Sequence, residues 1–304
     1  MKRGKRRKHA LITGAGNGLG RQLAVRLAHA GWHIGIADVK ADDADETQRL
    51  VENAGGSAEF LSLDVRDEAQ WSDLKSDLQR RWPQLDLLVN NAGVSCSGEV
   101  GESSIADWEW VMSINLRGVL LGCHTMVDWL KANPERSYVL NIGSAAALLC
   151  GPGMAAYNVS KAGVVALSQS MYVELKGHNV GVTCACPWFI QTNLLKTGRF
   201  ARASHRDFAE KAMARARVTP DFFAQEALRA TFRGRLIVVP GRRPRLAVAC
   251  KRLFPQMFLN LLHRYVSRMP RAAEKPGEPE ASHQIDARAG EAPTESRPAE
   301  VLHS

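Results

Sequence analysis

The sequence predicts an α/β fold in which seven parallel strands form a doubly wound sheet with helices on both faces. Short apolar runs alternate with longer amphipathic segments, beginning with the helix-like Gly18–Ala30 and Glu46–Ala54, up to about residue 241. This rhythm is typical of βαβ units, because each crossover helix returns the chain to begin a strand in the same direction. The candidate strands are Ala10–Thr13, His33–Ala37, Glu59–Leu63, Leu85–Asn90, Tyr138–Ile142, Val180–Ala185 and Arg235–Val239.

Composition divides the chain into four segments. Residues 1–9 form a basic arm, and residues 10–241 form the single folded domain. Residues 242–270 have apolar residues at helical spacing opposite Arg and Lys, which predicts one C-terminal basic amphipathic helix. Residues 271–304 are rich in Pro, Glu, Ala and Ser and nearly lack large apolar side chains, so we expect a disordered tail.

The net charge of +9 is concentrated at two places. Residues 1–10 hold six basic and no acidic groups, and residues 241–270 hold seven basic and no acidic groups. The intervening domain is nearly neutral, so we expect no nucleic-acid groove within it. Peripheral contact with a membrane through the basic C-terminal helix remains open, and a nucleic-acid or membrane binder built on the basic ends is one alternative function.

The cysteines predict a reducing compartment. They show no CxxC spacing, and we expect reduced, buried thiols. No His/Cys/Asp cluster has metal-ligand spacing, so no metal site is expected. The cysteines are Cys96, Cys123, Cys150, Cys184, Cys186 and Cys250.

The apolar run after the basic start is too short for a signal peptide, and no stretch reaches the length of a membrane span. We therefore expect a cytoplasmic protein, or at most a surface-attached one.

A glycine-rich turn joins the first candidate strand to a helix. Glycine lets the chain turn sharply and brings backbone N–H groups and the helix N-terminus up to a pyrophosphate. A glycine cluster in this position predicts a dinucleotide site, with a simple tight turn as the alternative. The candidate cofactor-binding residues here are Thr13, Gly14, Gly16, Asn17, Gly18, Leu19 and Gly20.

Asp38, at the end of the second candidate strand, predicts NAD rather than NADP as the cofactor. A carboxylate there can accept hydrogen bonds from the adenosine ribose hydroxyls, and its charge repels a 2′-phosphate. Asn17 occupies a turn position where a basic residue would favour NADP, and Lys40 is the one nearby feature on the NADP side. The alternative interpretation of Asp38 is a helix cap.

Further motifs, in order along residues 10–241, resemble the short-chain dehydrogenase/reductase family. They are TGxxxGxG at Thr13–Gly20, Asp64-Val65, Asn90-Asn91-Ala92-Gly93, Asn115, Ser144 and Tyr157-xxx-Lys161. The resemblance implies a single Rossmann domain and an NAD(P)-dependent oxidoreductase that interconverts an alcohol and a carbonyl compound. It also implies that Asp64 and Val65 flank the adenine. The other cofactor contacts that it implies are Asn91 at the adenosine ribose, Ala92, Gly93, Tyr157, Lys161, and Ile190 and Thr192 near the nicotinamide.

Four residues form the candidate catalytic set: Asn115, Ser144, Tyr157 and Lys161. Tyr157 and Lys161 are four residues apart on a helix and share a face. A neighbouring ammonium and the positive nicotinamide ring favour the phenolate, so Tyr157 would exchange the proton as hydride moves. Ser144 would hydrogen-bond the developing alkoxide oxygen. Asn115 would hold a water that links Lys161 to solvent.

One departure from the family pattern concerns the substrate side. Trp188 follows Pro187 where the family usually has Gly, and we expect it to reshape the nicotinamide pocket or narrow the substrate opening. The bordering loops carry Leu148, Leu149 and Phe189 and few charges, which favours a lipophilic secondary alcohol or ketone.

The assembly and the activity leave alternatives open. We expect a homodimer or homotetramer, and the sequence does not decide between them. A catalytically inactive nucleotide-binding regulatory protein on the same fold is the alternative function, and Trp188 is the only feature in its favour.

Overall fold

The computed structural model describes residues 6–268, and it confirms the α/β fold with a seven-stranded parallel sheet. The strand order is β3-β2-β1-β4-β6-β7-β9, so the order reverses between β1 and β4. A separate two-stranded sheet pairs β5 with β8. The strands are β1 (His9–Thr13), β2 (His33–Asp38), β3 (Ser57–Ser62), β4 (Leu87–Asn90), β5 (Cys96–Ser97), β6 (Ser137–Ile142), β7 (Val180–Ala185), β8 (Arg199–Phe200) and β9 (Ile237–Val238).

Helices cover both faces of the sheet. They are α1 (Gly18–Ala28), α2 (Ala41–Asn53), α3 (Glu68–Arg81), α4 (Ile105–Met112), α5 (Gly118–Lys131), α6 (Ala145–Leu149), α7 (Ala155–Glu174), α8 (Ala203–Ala214), α9 (Pro220–Phe232), α10 (Arg242–Leu253) and α11 (Pro255–Ser267). A π-helical turn, Ser113–Arg117, joins α4 to α5, and short 3₁₀ turns span Lys176–His178 and Asn193–Leu195. Among the described residues, no helix is long and apolar enough to cross a membrane.

Two apolar layers hold the helices on the sheet. On one face, Leu23 of α1, Val51 of α2 and Phe223 of α9 are fully buried. On the other face, Trp71 of α3 and Met126 of α5 are fully buried, in one cluster with apolar residues of α7. Each such side chain contributes roughly 1.5–3 kcal/mol on burial. These buried side chains therefore hold the helices in place on the sheet, and this fixes the positions of the loops at the edge where the site lies.

Several predicted bounds were inexact. The segment Glu46–Ala54 is helical, but α2 begins earlier, at Ala41. The third, fourth and seventh strands begin two residues away from their predicted starts, and the third and seventh end one residue early. The domain bounds at residues 10 and 241 remain predictions.

The extension predicted over residues 242–270 is helical from Arg242 to Ser267, but it forms two helices, α10 and α11, instead of one. Phe254, between them, has φ −134° and ψ 64°. A residue that precedes proline avoids the helical conformation, whereas proline fits the first helical position. Pro255 therefore ends α10 and starts α11. The tail predicted for residues 271–304 lies outside the described residues, as do residues 1–5 of the basic arm.

The described part of the basic arm is bound to the amino edge of the sheet, just before β1. Arg6 Nη2 pairs with Asp86 Oδ1 at 2.5 Å, and the Asp86 side chain is only 1% exposed. Arg7 Nη1 donates to Ser57 Oγ at 3.2 Å, and the Lys8 ammonium lies 5.6 Å from the centroid of a Trp32 ring. These cations therefore stabilise the domain itself.

Candidate active site

The turns after β1 and β4 are tied together where the strand order reverses. Thr13 Oγ1 accepts hydrogen bonds from Asn91 N at 3.0 Å and Ala92 N at 3.1 Å. The Asn91 amide donates to the carbonyl oxygens of Thr13 and Gly14, each at 2.9 Å. Ligands of doubly wound sheets bind in the crevice at this position. Asn91 therefore fixes the shape of the glycine turn, in addition to the ribose contact that the family implies.

The glycine turn leaves a space that side chains would fill. Gly14 and Gly18 have φ +62° and +53°, a conformation that glycine adopts without strain. A Cβ at Gly14 would lie 2.9 Å from the Ala92 Cα. Helix α1 begins at Gly18 with no acidic residue in its first turn, and the Asn17 side chain does not cap it. This uncapped, half-buried helix N-terminus fits a pyrophosphate.

Two more of the predicted cofactor-binding residues also lie at the start of this helix. The Thr192 Cβ is 3.6 Å from the position of a Cβ on Gly18, which places the loop after β7 beside the turn. Leu19 packs against the buried cluster of α1 and α9 and anchors the helix start.

Asp38 pins the glycine turn to the end of β2. Gly16 N donates to Asp38 Oδ2 at 2.8 Å, and Lys40 N donates to Asp38 Oδ1 at 3.2 Å. The N-cap residue of α2 is Lys40, so Asp38 is not that helix's N-cap. A carboxylate has about four lone-pair positions, and two remain for ribose hydroxyls.

Further residues support the glycine turn from behind, and these contacts were not predicted from the sequence. The buried Thr47 hydroxyl lies 3.0 Å from Ala15 O and 2.9 Å from Gly16 O. Arg21 Nη2 donates to Gly16 O at 2.6 Å, and Asn17 Nδ2 donates to Asp43 Oδ2 at 3.1 Å. Asp43 and Thr47 are four residues apart on α2, and this spacing is the only sequence signal for them.

The predicted adenine-side residues are held in place by their neighbours. The Arg66 guanidinium donates to the Asp64 carboxylate at 2.6–3.0 Å and lowers the pKa of Asp64. Asp64 N donates to Gln70 Oε1 at 2.8 Å. Val65 is buried, and a Cβ at Gly118 would lie 2.8 Å from its Cγ2. Residues 64–66 therefore form a fixed turn at the carboxyl edge.

Tyr157 and Lys161 lie buried on one face of α7. Lys161 Nζ donates to Ile142 O, at the end of β6, at 2.9 Å. Burial lowers the pKa of Lys161 to about 8. Burial also raises the pKa of Tyr157, and a hydrogen bond with Ser144 opposes that rise. The lowering of the Tyr157 pKa expected from Lys161 together with the positive nicotinamide ring concerns the cofactor complex, and it remains a prediction.

Ser144 and Asn115 both have structural partners. Ser144 Oγ caps α6 by accepting from Ala146 N at 3.1 Å, and its hydroxyl hydrogen remains available to Tyr157 or a ligand. Asn115 is fully buried: its Oδ1 accepts from Val94 N at 2.8 Å, and its Nδ2 donates to Val94 O at 3.0 Å. This amide holds Val94, and the proposed relay water at Asn115 remains a prediction.

Gly93 lies between two of the predicted catalytic residues, Asn115 and Lys161. A Cβ there would lie 3.1 Å from Asn115 Oδ1 and 3.3 Å from Lys161 Nζ. A side chain would therefore push the loop after β4 away from α7. The structure brings all four predicted catalytic residues to the carboxyl edge of the sheet, next to the glycine turn.

Trp188 stands at the rim of this region. Its side chain is 43% exposed and packs edge-to-face on Phe189, with ring centroids 5.8 Å apart. Among the described residues, only Cys150 and Asn179 are non-glycine residues with positive φ, so Trp188 needs no glycine-like backbone. Ile190, two residues later, is buried. The tryptophan therefore adds an apolar surface beside the site without straining the chain.

Three loops beside the site are joined to one another. The pairing of β5 with β8 connects Cys96–Ser97 to Arg199–Phe200. Gly98 N and Ser97 Oγ both donate to Gly153 O, at 2.8 and 2.6 Å. The loops after β4, α6 and β7 thus form one rim.

The cysteine prediction needs one correction. All six cysteines are free, and Cys184 and Cys186 are buried with their Sγ atoms 3.9 Å apart. Cys150, however, is exposed and Cys250 is half-buried. Cys150 ends α6 and Cys250 lies on α10, and neither belongs to the two apolar clusters that hold the helices on the sheet. Within residues 6–268 no group of three His, Cys, Asp or Glu side chains could hold a metal ion.

A doubly wound sheet, with a glycine turn at the reversal point and a buried Tyr–Lys pair beside it, defines a Rossmann-type oxidoreductase. The family model of the short chain dehydrogenases matches residues 8–202. The chain therefore belongs to the short-chain dehydrogenase family.

Individual relatives support this membership. An uncharacterized oxidoreductase of Thermotoga maritima is 31% identical over 208 residues, 68% of this chain and 82% of the relative. A cyclopentanol dehydrogenase of Comamonas is 30% identical over 185 residues, 61% of this chain and 74% of the relative. A short-chain dehydrogenase/reductase from Burkholderia phymatum, solved with NAD, is 27% identical with a TM-score of 0.78. That match covers 83% of this chain and 95% of the solved one.

Proposed function

We propose that the protein transfers hydride between NAD and a lipophilic secondary alcohol or ketone, with Tyr157 as the acid–base residue. The observation that supports this most strongly is the burial of Tyr157 and Lys161 on one face of α7, within hydrogen-bonding range of Ser144 and Ile142 O respectively. A buried phenol with a cation one helical turn away is the arrangement that proton transfer to a substrate oxygen needs.

The cofactor and the three side chains have different chemical roles in the proposed reaction. NAD, when bound, supplies the hydride acceptor, and its reduced form supplies the donor. Tyr157 takes the proton from the alcohol oxygen, or returns it to the carbonyl oxygen. Ser144 donates a hydrogen bond to that oxygen as charge develops on it. Lys161 is cationic below about pH 8, and this charge stabilises the phenolate form of Tyr157.

The proposal of NAD depends on Asp38 and on the glycine turn. Asp38 is fixed by Gly16 N, so its charge stays beside the position that a 2′-phosphate would need. The structurally similar Burkholderia phymatum protein was solved in complex with NAD. The residues that would hold the cofactor are those predicted from Thr13 to Gly20, together with Asp38, Asp64 and Asn91.

The substrate class is inferred from the apolar rim. Trp188 and Phe208 are 43% and 54% exposed, and Phe189 lies between them with ring centroids 5.8 and 6.5 Å away. Apolar and aromatic linings favour lipophilic ligands. A relative named for cyclopentanol, a cyclic secondary alcohol, supports the same class.

The test is an NAD-reduction screen over secondary alcohols of graded size and polarity, from small polar to aromatic and steroidal ones. We expect kcat/KM to rise with apolar size, and Trp188→Gly to shift the optimum. Reduction of NAD only by charged or phosphorylated alcohols, or by none, would contradict the proposal.

We also propose assembly as a homodimer or homotetramer. Leu120 on α5 and Val159 on α7 are 47% and 48% exposed, apolar positions that a second subunit would cover. Sedimentation equilibrium gives the mass, and a monomer at micromolar concentration would contradict this assembly.

A further inference from the structure

Helix α11 carries an apolar stripe that no described residue covers. The helix packs against α10, and its Phe258, Leu262 and Val266 are half-buried. The uncovered set consists of one residue at the junction with α10 and three residues of α11 spaced four apart on one face, and each is 52–64% exposed. We call it the open stripe, and it consists of Phe254, Met257, Leu261 and Tyr265.

Arg and Lys are the only permanently charged residues of α10 and α11. Arg264 and Arg268 lie three and seven residues after Leu261, so they flank the stripe on the helix surface. Residues 241–270 hold seven basic and no acidic groups. On α10, Leu246 and Leu253 add apolar side chains that are 67% and 71% exposed. An apolar stripe on two helices that carry basic and no acidic residues is complementary to an anionic lipid surface.

The position of these helices connects them to the substrate rim. Helix α10 packs against α6, the helix that Ser144 caps. Ala145 N, at the start of α6, donates to Pro187 O at 2.7 Å, which places Trp188 next to the same contact. Helix α10 therefore borders the rim where a lipophilic substrate would enter, and α11 packs on α10.

The basic arm does not extend this surface. Helix α10 begins just after β9, at the carboxyl edge of the sheet, whereas Arg6, Arg7 and Lys8 precede β1 at the amino edge. Arg6 is also paired with Asp86. A membrane contact therefore depends on residues 242–268 without support from residues 6–8.

We propose that the surface of α10 and α11 docks on an anionic membrane, with the open stripe at the level of the lipid headgroups. Docking turns the substrate rim towards the lipid, so that a lipophilic alcohol can enter from the bilayer. The delivery of substrate rests on the proposed function, but docking itself does not.

The test is co-sedimentation of the full chain with vesicles of phosphatidylcholine, with and without phosphatidylglycerol, in the absence of cofactor and substrate. Leu261→Ser should lower the vesicle partition constant about tenfold, because a leucine side chain leaves the lipid. Each of Arg264→Gln and Arg268→Gln should lower it about fivefold. The matched controls are Val173→Ser, which is 73% exposed at the end of α7, and Arg233→Gln, exposed before β9; both should bind as wild type does.

Three results would overturn the proposal. The wild-type chain could remain in the supernatant with anionic vesicles, or Leu261→Ser could bind them as tightly as wild type. Sedimentation equilibrium could also show that Leu261→Ser changes the number of subunits, which would assign the open stripe to a second copy. Since docking is measured without turnover, these results are independent of whether the enzyme oxidises alcohols.

Discussion

The choice of cofactor can be tested by Asp38→Asn. Asparagine keeps an oxygen that accepts from Gly16 N, which is 2.8 Å from Asp38 Oδ2, and removes only the charge. Two unit charges about 4 Å apart interact by about 4 kcal/mol at an effective dielectric constant of about 20. Asp38 is half-exposed, and solvent screening reduces this to about 1.4 kcal/mol, or tenfold in affinity. The preference for NAD over NADP should therefore shrink about tenfold.

The assay is titration of both nucleotides, followed by the change in tryptophan fluorescence. Asp38→Ala should also weaken NAD itself, because the Gly16 N–H loses its acceptor. Asp45→Asn, exposed on α2, removes the same charge away from the turn and should leave the ratio unchanged. Tighter binding of NADP than of NAD by the wild type, or an unchanged ratio in Asp38→Asn, would refute the role of Asp38.

Two stability predictions follow from the site. Burial lowers the pKa of Lys161 from 10.5 to about 8, so the unfolded chain binds this proton more tightly and the folded state is penalised at pH 7. Lys161→Met should therefore be more stable than wild type, with the largest difference in unfolding free energy near pH 7 and a decreasing difference between pH 8 and 10.5. Urea unfolding at several pH values measures this difference, and a difference that does not change with pH would contradict the prediction. Gly20→Ala should cost about 1–3 kcal/mol, because its Cβ would overlap Gly14 O and lie 2.6 Å from Asn91 Nδ2. Gly177→Ala, whose Cβ meets nothing within 4 Å, is the control for thermal unfolding.

Local patterns were sufficient to predict the fold and the family. Apolar strands and glycine turns are determined by neighbouring residues, so the parallel sheet and the glycine turn could be predicted from short windows. The break at Phe254–Pro255 also had a local signal, because proline cannot continue α10.

Properties that depend on distant residues could not be predicted. Thr47 supports Gly16 from 31 residues further along the chain, and only the folded chain brings the two together. The raised pKa of Tyr157 results from burial under several elements, whereas the sequence showed only its neighbour Lys161. The exposure of Cys150 and the pairing of Arg6 with Asp86 have the same origin in tertiary contacts.

The most direct test of the proposed activity is the turnover of Tyr157→Phe, with NAD binding measured on the same protein. The ring still fills its buried position, but it cannot carry the proton, so the rate should fall at least about 10²-fold while NAD affinity stays nearly unchanged. Tyr172→Phe, half-buried on the same helix, should turn over at the wild-type rate. A Tyr157→Phe enzyme that keeps more than about a tenth of wild-type turnover would contradict the assignment of Tyr157 as the acid–base residue.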